Sequence, residues 1–266
     1  MIYTILLVIL VFILYILNIV LYIYKNNNRE CFSNTSPYDI TFIINLSETQ
    51  EGRRRWNIIK NMSEFYNKIR FPAIYGKTYD YSEEIKKDII KTEWDYGKWK
   101  YNKSKMIPFD KGEIGVALSH YYIWKKIVDE DIDVALILED DAINIHTEFE
   151  KHVKDTMKIL PDDWDILLLG FWLHKGDNKK NEVIKNKLYK VDEFVLLHSY
   201  IINKKGAEKL LNRGAIDMPI DSWISAHSDT VNIYRHNILR SNTLHPSSNL
   251  IRQKRAEKQI KNTNNW

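Results

Sequence analysis

The stretch VALILEDDA (residues 134–142) decides the fold: five apolar residues, Val134 to Leu138, run directly into three acids, Glu139, Asp140 and Asp141. A short apolar run bounded in this way reads as a buried strand with the acids at its carboxyl end. Before it, Asp110 is placed to cap a helix in which Ile114, Ala117, Leu118, Tyr121 and Trp124 recur at helical spacing, and the charged turn VDEDID ends that helix. After it, a helix-like segment (147–160) leads to DDWDILLLG (162–170), which repeats the pattern of acidic lead, apolar strand and glycine stop. EFVLLHSYIIN (193–203) reads as another strand and precedes a short helix, KKGAEKLLNRG, closed by Gly214.

Nearer the N-terminus, YDITFIINL (38–46) reads as a buried strand, the polar SETQEGRRRW leads into a helix over residues 53–69, and RFPAIYG (70–76) returns as a second strand. Residues 77–110 are charged, aromatic and weakly periodic, and we assign them no element. Strands alternating with helices predict an α/β domain with a mostly parallel sheet flanked by helices on both faces.

Met1 to Tyr24 carries no charged side chain and is dominated by Ile, Leu, Val, Phe and Tyr. As a helix it would rise about 36 Å, enough to cross a hydrocarbon core of about 30 Å, so residues 1–24 are predicted to be a transmembrane anchor. A cleaved signal peptide fits less well, because the apolar run is long and ends in bulky Tyr22 and Tyr24 rather than small residues. KNNNRECFSNTSP (25–37) suits a polar tether, residues 38–248 the folded domain, and residues 249–266 a basic C-terminal tail. Lys25 and Arg29 favour a cytoplasmic domain by the positive-inside rule, whereas the sequons at Asn61 and Asn102 would suit a lumenal one; the side of the membrane stays open. Asn45 also lies in a sequon, but at the end of a strand where a glycan is hard to accommodate. The 39 Lys and Arg against 35 Asp and Glu are interleaved, so no basic face points to nucleic acid. The single cysteine, Cys31, cannot form an internal disulfide.

Ligands of open α/β sheets bind beyond the carboxyl ends of the strands, and hard carboxylate oxygens at Glu139, Asp140 and Asp141 suit Mg²⁺ or Mn²⁺ there. Such an ion could bridge two phosphates and neutralise a leaving nucleotide diphosphate. The plainer alternative is a solvated strand end, but a buried run leading straight into three mutually repelling acids is costly unless a cation offsets them. Ser119 and His120 lie on the preceding helix; His120 falls off its apolar stripe and could face the site, or could be an ordinary satisfied polar residue. Asp221 in MPIDSWIS is either a carboxylate projected into a cleft or a helix N-cap. Asn45, Arg53, Arg54 and Arg55 follow the first strand, where a nucleotide could sit, although an exposed helix start explains three arginines more cheaply.

The segments FIINLSETQEGRRRW, FPAIYG, KGEIGVALSHYYIWKKIV, VALILEDDA, DDWDILLLG, SYIINKKGAEKLL and MPIDSWI stand in one order over residues 40–225. In that order they resemble glycosyltransferase family 25, which includes bacterial lipopolysaccharide galactosyltransferases and collagen hydroxylysine galactosyltransferases. The resemblance implies a GT-A-like nucleotide-sugar-binding domain, a UDP-sugar donor (usually UDP-galactose or UDP-glucose), Mn²⁺ held by the acidic motif, and inversion at the anomeric carbon. Glu139, Asp140 and Asp141 match the family's acidic motif, with Asp141 the direct metal ligand and Glu139 beside it. Ser119, His120 and Trp124 match its helix motif, and Asp221 matches an acid that is our candidate general base. His245 in TLHP is placed to supply a late histidine to the metal. The chain departs from the family at Val116, where many members have cysteine, and the similarity fades after residue 225. The expected function is therefore transfer of a hexose to a glycan or protein hydroxyl by a membrane-anchored enzyme. A non-catalytic membrane-tethered binder of glycan or nucleotide sugar is the alternative. A metal-dependent nucleotidyltransferase or phosphohydrolase would need further carboxylates, for which Asp165 is available, or a glycine-rich phosphate loop, which the sequence lacks.

Overall fold

The computed structural model describes residues 15–16, 36–60, 65–97, 103–143, 149–173, 181–237 and 242–243. The chain divides between Pro37 and Tyr38 into two units, and the second holds everything that follows. The predicted anchor, tether and tail fall almost wholly outside the described residues. Among those residues no helix is long and apolar enough to cross a membrane.

In chain order the elements are β1 (Ile40–Asn45), α1 (Gln50–Ile59), β2 (Lys68–Pro72), α2 (Ser82–Lys86), β3 (Glu93–Asp95), β4 (Met106–Pro108), α3 (Lys111–Asp129), β5 (Val134–Glu139) and β6 (Ala142–Ile143). They continue with α4 (Phe149–Met157), β7 (Ile166–Trp172), β8 (Glu182–Ile184), β9 (Leu188–Lys190), β10 (Val195–Asn203), α5 (Lys204–Leu211), α6 (Ile220–Ser225), β11 (Ile233–His236) and β12 (Asn242–Thr243). Eight strands form one sheet in the order β2-β1-β5-β10-β7-β11-β9-β8. β1 is parallel to β2 and β5, and β7 to β11.

The sheet is nonetheless mixed, because β10 runs antiparallel to both β5 and β7 in its centre. A parallel neighbour needs a crossover, usually a helix. Between β7 and β10 the described residues form the β8–β9 hairpin instead, so the chain re-enters the sheet reversed.

Both faces are covered, which is why Ala135, Leu136, Ile137 and Leu138 are buried in succession rather than alternately. On one face Ile114, Leu118 and Trp124 of α3, Ala207 and Leu210 of α5, and Trp223 of α6 pack against Phe42, Ile137, Leu168 and Tyr200. On the other, Ile59 of α1 and Phe149 and Val153 of α4 pack against Ile43, Leu136, Leu138, Leu167 and Ile201. Asp110 caps α3 as predicted, its side chain accepting from the Gly112 N–H. That helix sits hard against the turn after β2. A Cβ on Gly115 would lie 2.4 Å from the Ile74 carbonyl oxygen, and one on Gly76 would lie 1.7 Å from that of Lys111.

Several boundaries move. The first helix starts at Gln50, capped by Thr49, rather than at residue 53. β7 runs through Gly170 to Trp172 instead of stopping at the glycine. Gly170 faces Ser199, beside a register shift in β10, where absence of a side chain tolerates the irregularity.

Candidate active site

From β1 the chain moves to β2 on one flank and later to β5 on the other. The carboxyl ends of β1 and β5 therefore flank a topological switch point, where open α/β sheets form a ligand crevice. Ile44 pairs with Glu139 across it, so Asn45 and the acidic triplet share one end of the sheet.

Successive strand residues point to opposite faces, and this separates the acids. Glu139 meets the α3 side, with Oε1 3.7 Å from Nε2 of His120. Asp140 meets the α1 side: Oδ1 accepts from Arg55 Nη1 at 2.9 Å and Oδ2 accepts from Asn45 Nδ2 at 2.5 Å. Burial pushes the Asp140 carboxyl above its ordinary range, with Arg55 and Asn45 opposing. Asp141 lies just past the strand, 3.8 Å from the Arg55 guanidinium. Burial, and then the neighbouring charge of Glu139, push its carboxyl to about 7. Its Oδ1 is buried with no hydrogen-bond partner.

Asn45 ties the first strand to this cluster. Its Nδ2 also donates to the Gly52 carbonyl at 2.7 Å, and its Oδ1 accepts from Nε of Arg70 at 2.9 Å. Gly52 permits the contact, since a Cβ there would lie 1.6 Å from the Leu46 carbonyl oxygen. The buried carboxamide is thus fully engaged, which accords with the poor accessibility expected of that sequon. Arg53 does not join the site: exposed, it donates to the carbonyls of Ser47 and Glu48 at 2.9 and 3.1 Å. Two residues along a helix is a rotation of about 200°, so Arg55, not Arg53, turns toward the acids. Arg54 pairs outward with Glu51.

His120 was expected off the apolar stripe of α3 but is wholly buried, because α3 is enclosed more widely than that stripe. Its Nδ1 lies 2.9 Å from the Tyr200 hydroxyl, to which Trp124 Nε1 donates, also at 2.9 Å. The consistent assignment has Tyr200 donate to Nδ1, which leaves the proton on Nε2, buried without a hydrogen-bond partner and 3.7 Å from Glu139. Trp124 to Tyr200 to His120 is therefore a buried polar chain ending at the first acid. Ser119 looks elsewhere: its Oγ accepts from the Ile74 N–H at 2.8 Å and donates to the Gly115 carbonyl, clamping α3 to the turn after β2.

Asp221 sits in the first turn of α6, whose N-cap is Pro219, so it is not the cap. Its Oδ2 accepts from the Leu196 N–H and its Oδ1 from the Ser222 N–H, both at 2.7 Å. Leu196 has φ +67°, a left-handed conformation that costs a bulky residue about 1–2 kcal/mol. Asp221 holds this kink at the irregular start of β10. Burial raises its carboxyl pKa against those backbone donors, and Glu139 is near enough to raise it further.

His245 lies outside the described residues. Among those residues no group of three His, Cys, Asp or Glu side chains is gathered to hold a metal alone. The donor set still suits a hard divalent cation that shares its coordination with phosphates: buried hard oxygens, with one orphaned on Asp141. Asp165 cannot serve that centre. It precedes β7, parallel in sense to β5, and so lies at the opposite end of the sheet, where it accepts from Lys209 Nζ and from the Asn232 N–H at 2.7 Å.

The pattern of glycosyltransferase family 25 (LPS biosynthesis protein) matches residues 39–224, a span that contains Asn45, Arg55, His120, the acidic triplet, Tyr200 and Asp221. Procollagen galactosyltransferase 1-A of Xenopus laevis is 28% identical over 199 residues, 72% of this chain and 31% of that protein. A glycosyltransferase 25 family member of Aedes aegypti is 31% identical over 193 residues, 69% of this chain and 30% of that one. Procollagen galactosyltransferase 2 of Homo sapiens is 25% identical over 195 residues, 70% and 30% of the two chains. The chain thus spans about a third of the length of the relatives it matches. With the family pattern carried across more than half its length and over every residue of the cluster, the chain belongs to glycosyltransferase family 25.

Proposed function

We propose that this chain is a metal-dependent, inverting glycosyltransferase with a GT-A-like domain, moving galactose or glucose from a UDP-sugar to a hydroxyl acceptor. The observation that carries the reading is the buried, unpartnered Oδ1 of Asp141 among three acids at the switch point. Asp141, with Glu139 beside it, would hold Mn²⁺ or Mg²⁺, and the ion when bound neutralises charge developing on the diphosphate leaving group. Asn45 and Arg55 fix Asp140, which leaves that carboxylate to bind and orient the nucleotide rather than to move. On the other face the buried Trp124–Tyr200–His120 chain holds the His120 ring 3.7 Å from Glu139, close enough to favour its negative charge without a hydrogen bond.

Asp221 is the proposed general base. Inversion needs one displacement: the acceptor oxygen bonds to the anomeric carbon as the bond to the diphosphate oxygen breaks, and the acceptor's proton passes to Asp221. A carboxylate whose pKa burial has raised is a better base for this step. Residues 1–24 would anchor the enzyme to a membrane. Because relatives are named procollagen galactosyltransferases, UDP-galactose is the first donor we would try.

The test is a panel of UDP- and GDP-sugars incubated with the full chain in mild detergent, with Mn²⁺ or with chelator, while nucleotide release is followed. Mn²⁺-dependent release from one UDP-sugar is expected. Donor binding without release, across a range of acceptors, would transfer the chain to the non-catalytic binder class.

A further inference from the structure

We infer that Arg70 is a positioning residue for the nucleotide, an inference that rests on the donor-site reading above: it fixes the Asn45 carboxamide and, through that carboxamide, the Asp140 carboxylate. A covered guanidinium ordinarily faces a carboxylate. Arg70 is half-buried, yet among the described residues no ion pair joins it to an acid, and Asp140 and Asp141 face Arg55 instead. Its fork is directed at a neutral group. Nε, at 2.9 Å, and Nη2 both donate to Asn45 Oδ1.

The sheet sets these groups in line. Between parallel β1 and β2, Arg70 pairs with Ile43 and Pro72 with Asn45, so Arg70 lies one pleat behind the carboxamide. Ile43 packs on the face that Ile59 of α1 covers, and residues two apart on a strand share a face, so Arg70 and Asn45 both point to the α1 side. There the Trp56 ring lies 5.1 Å from the guanidinium carbon and keeps the fork from swinging away. At the far end of the carboxamide, Nδ2 donates to Asp140 Oδ2 at 2.5 Å and to the Gly52 carbonyl at 2.7 Å.

The two ends of a carboxamide exchange places by a half-turn, and the partners decide which way it lies. Turned over, Asn45 would set its oxygen against the Asp140 carboxylate and the Gly52 carbonyl, and its NH₂ against the donors of Arg70. Cation, amide dipole and anion are therefore aligned in one sense, and in a buried setting each strengthens the next. Asn45 is 1% exposed, so water does not readily replace a lost donor. Without Arg70 the carboxamide is free to turn, and Arg55 alone holds Asp140. Lysine is not equivalent, because a single ammonium offers neither a rigid fork nor a flat face to Trp56.

Two measurements on the full chain in mild detergent test this. Hydrogen exchange of the Asn45 side-chain amide, followed by NMR without nucleotide, is expected to be at least tenfold faster in Arg70→Met than in the native chain. UDP affinity with Mn²⁺, measured by calorimetry, is expected to fall about tenfold in Arg70→Met, the scale of one lost hydrogen bond to a charged group. Asn45→Ala should lose a similar factor, and the double variant no more than about twofold beyond Asn45→Ala, because the two side chains act as one unit. A role confined to packing under Trp56 would instead multiply the two losses. Should Arg70→Met not fold, Arg70→Lys takes its place, with an expected loss of about threefold. Unchanged amide exchange, unchanged UDP affinity or multiplied losses would each overturn the proposal. A native chain that binds no UDP, with exchange still quickened in the variant, would sink the donor-site reading and leave the link from Arg70 to Asn45 in place.

Discussion

Replacing Arg55 with Met removes the cation between Asp140 and Asp141 while keeping a side chain of similar length. The lost contacts are a 2.9 Å charged hydrogen bond to Asp140, a 3.8 Å approach to Asp141 and a 3.0 Å pair with exposed Glu51, the last screened by solvent and counted as small. A hydrogen bond to a charged group contributes about 1.5–3 kcal/mol. A second carboxylate at about 4 Å adds at most about 4 kcal/mol at an effective dielectric of about 20. Side-chain exposures of 20% for Arg55 and 12% and 10% for the two acids admit solvent that screens part of this, so we expect a loss of about 3 kcal/mol. For a domain of this size that is about 6–12 °C in Tm near pH 7.5. The sign with pH follows from Asp141, whose folded pKa of about 7 lies above its ordinary value of 3.8. The stability it contributes is present in acid and is lost as pH rises through about 7, where the folded site gains a negative charge. The gap between variant and native protein should therefore widen from pH 5.5 to pH 8 and narrow when Mn²⁺ replaces EDTA. Melting curves across that range are the assay, and a gap indifferent to both pH and Mn²⁺ would refute the neutralising role of Arg55.

Tyr200→Phe should cost about 2–4 kcal/mol in chemical denaturation, because it leaves both the Trp124 N–H and His120 Nδ1 buried without their partner; a loss under about 0.5 kcal/mol would mean that the chain does not hold His120. Asp221→Asn should lower kcat by about 10²–10⁴ with UDP affinity intact, since an amide oxygen still accepts from Leu196 but takes no proton. Loss of UDP affinity in that variant would move Asp221 to the donor side. Mn²⁺ affinity, followed by calorimetry, should rise about tenfold per pH unit below about 7 and level off above it, as Asp141 must lose its proton to bind; a flat profile from pH 5.5 to 8 would contradict the assignment.

Much of this was legible in residues 134–142, since an apolar run ending in three acids could only be a strand that delivers them to its edge. The cap at Asp110 and the strand at 193–203 were equally plain, because side-chain chemistry and hydrophobic runs are local signals. Strand direction is not local: nothing in EFVLLHSYIIN distinguishes parallel from antiparallel pairing, which the β8–β9 hairpin before it decides. Choosing among Arg53, Arg54 and Arg55 required the start of α1, and a shift of three residues rotates the helix by most of a turn. The spacing of Glu51 to Arg55, one helical turn apart, was the available clue. Tyr200 hid inside an apolar run as apparent core, and its hydroxyl acquires meaning only when α3 brings His120 and Trp124 against β10. Leu196 carried no signal, because its strain arises from a register irregularity between two strands.

On the proposed function, Asp141 makes the carboxyl ends of β1 and β5 a joint site for metal and nucleotide. Titrating Mn²⁺ into the full chain by electron paramagnetic resonance, with and without UDP, tests it most directly when native protein and Asp141→Asn are compared. We predict weak Mn²⁺ binding that UDP tightens at least tenfold, with both effects gone in a variant of unchanged melting behaviour. Mn²⁺ binding and UDP coupling that persist in Asp141→Asn would put the metal on other residues and remove Asp141 from the site.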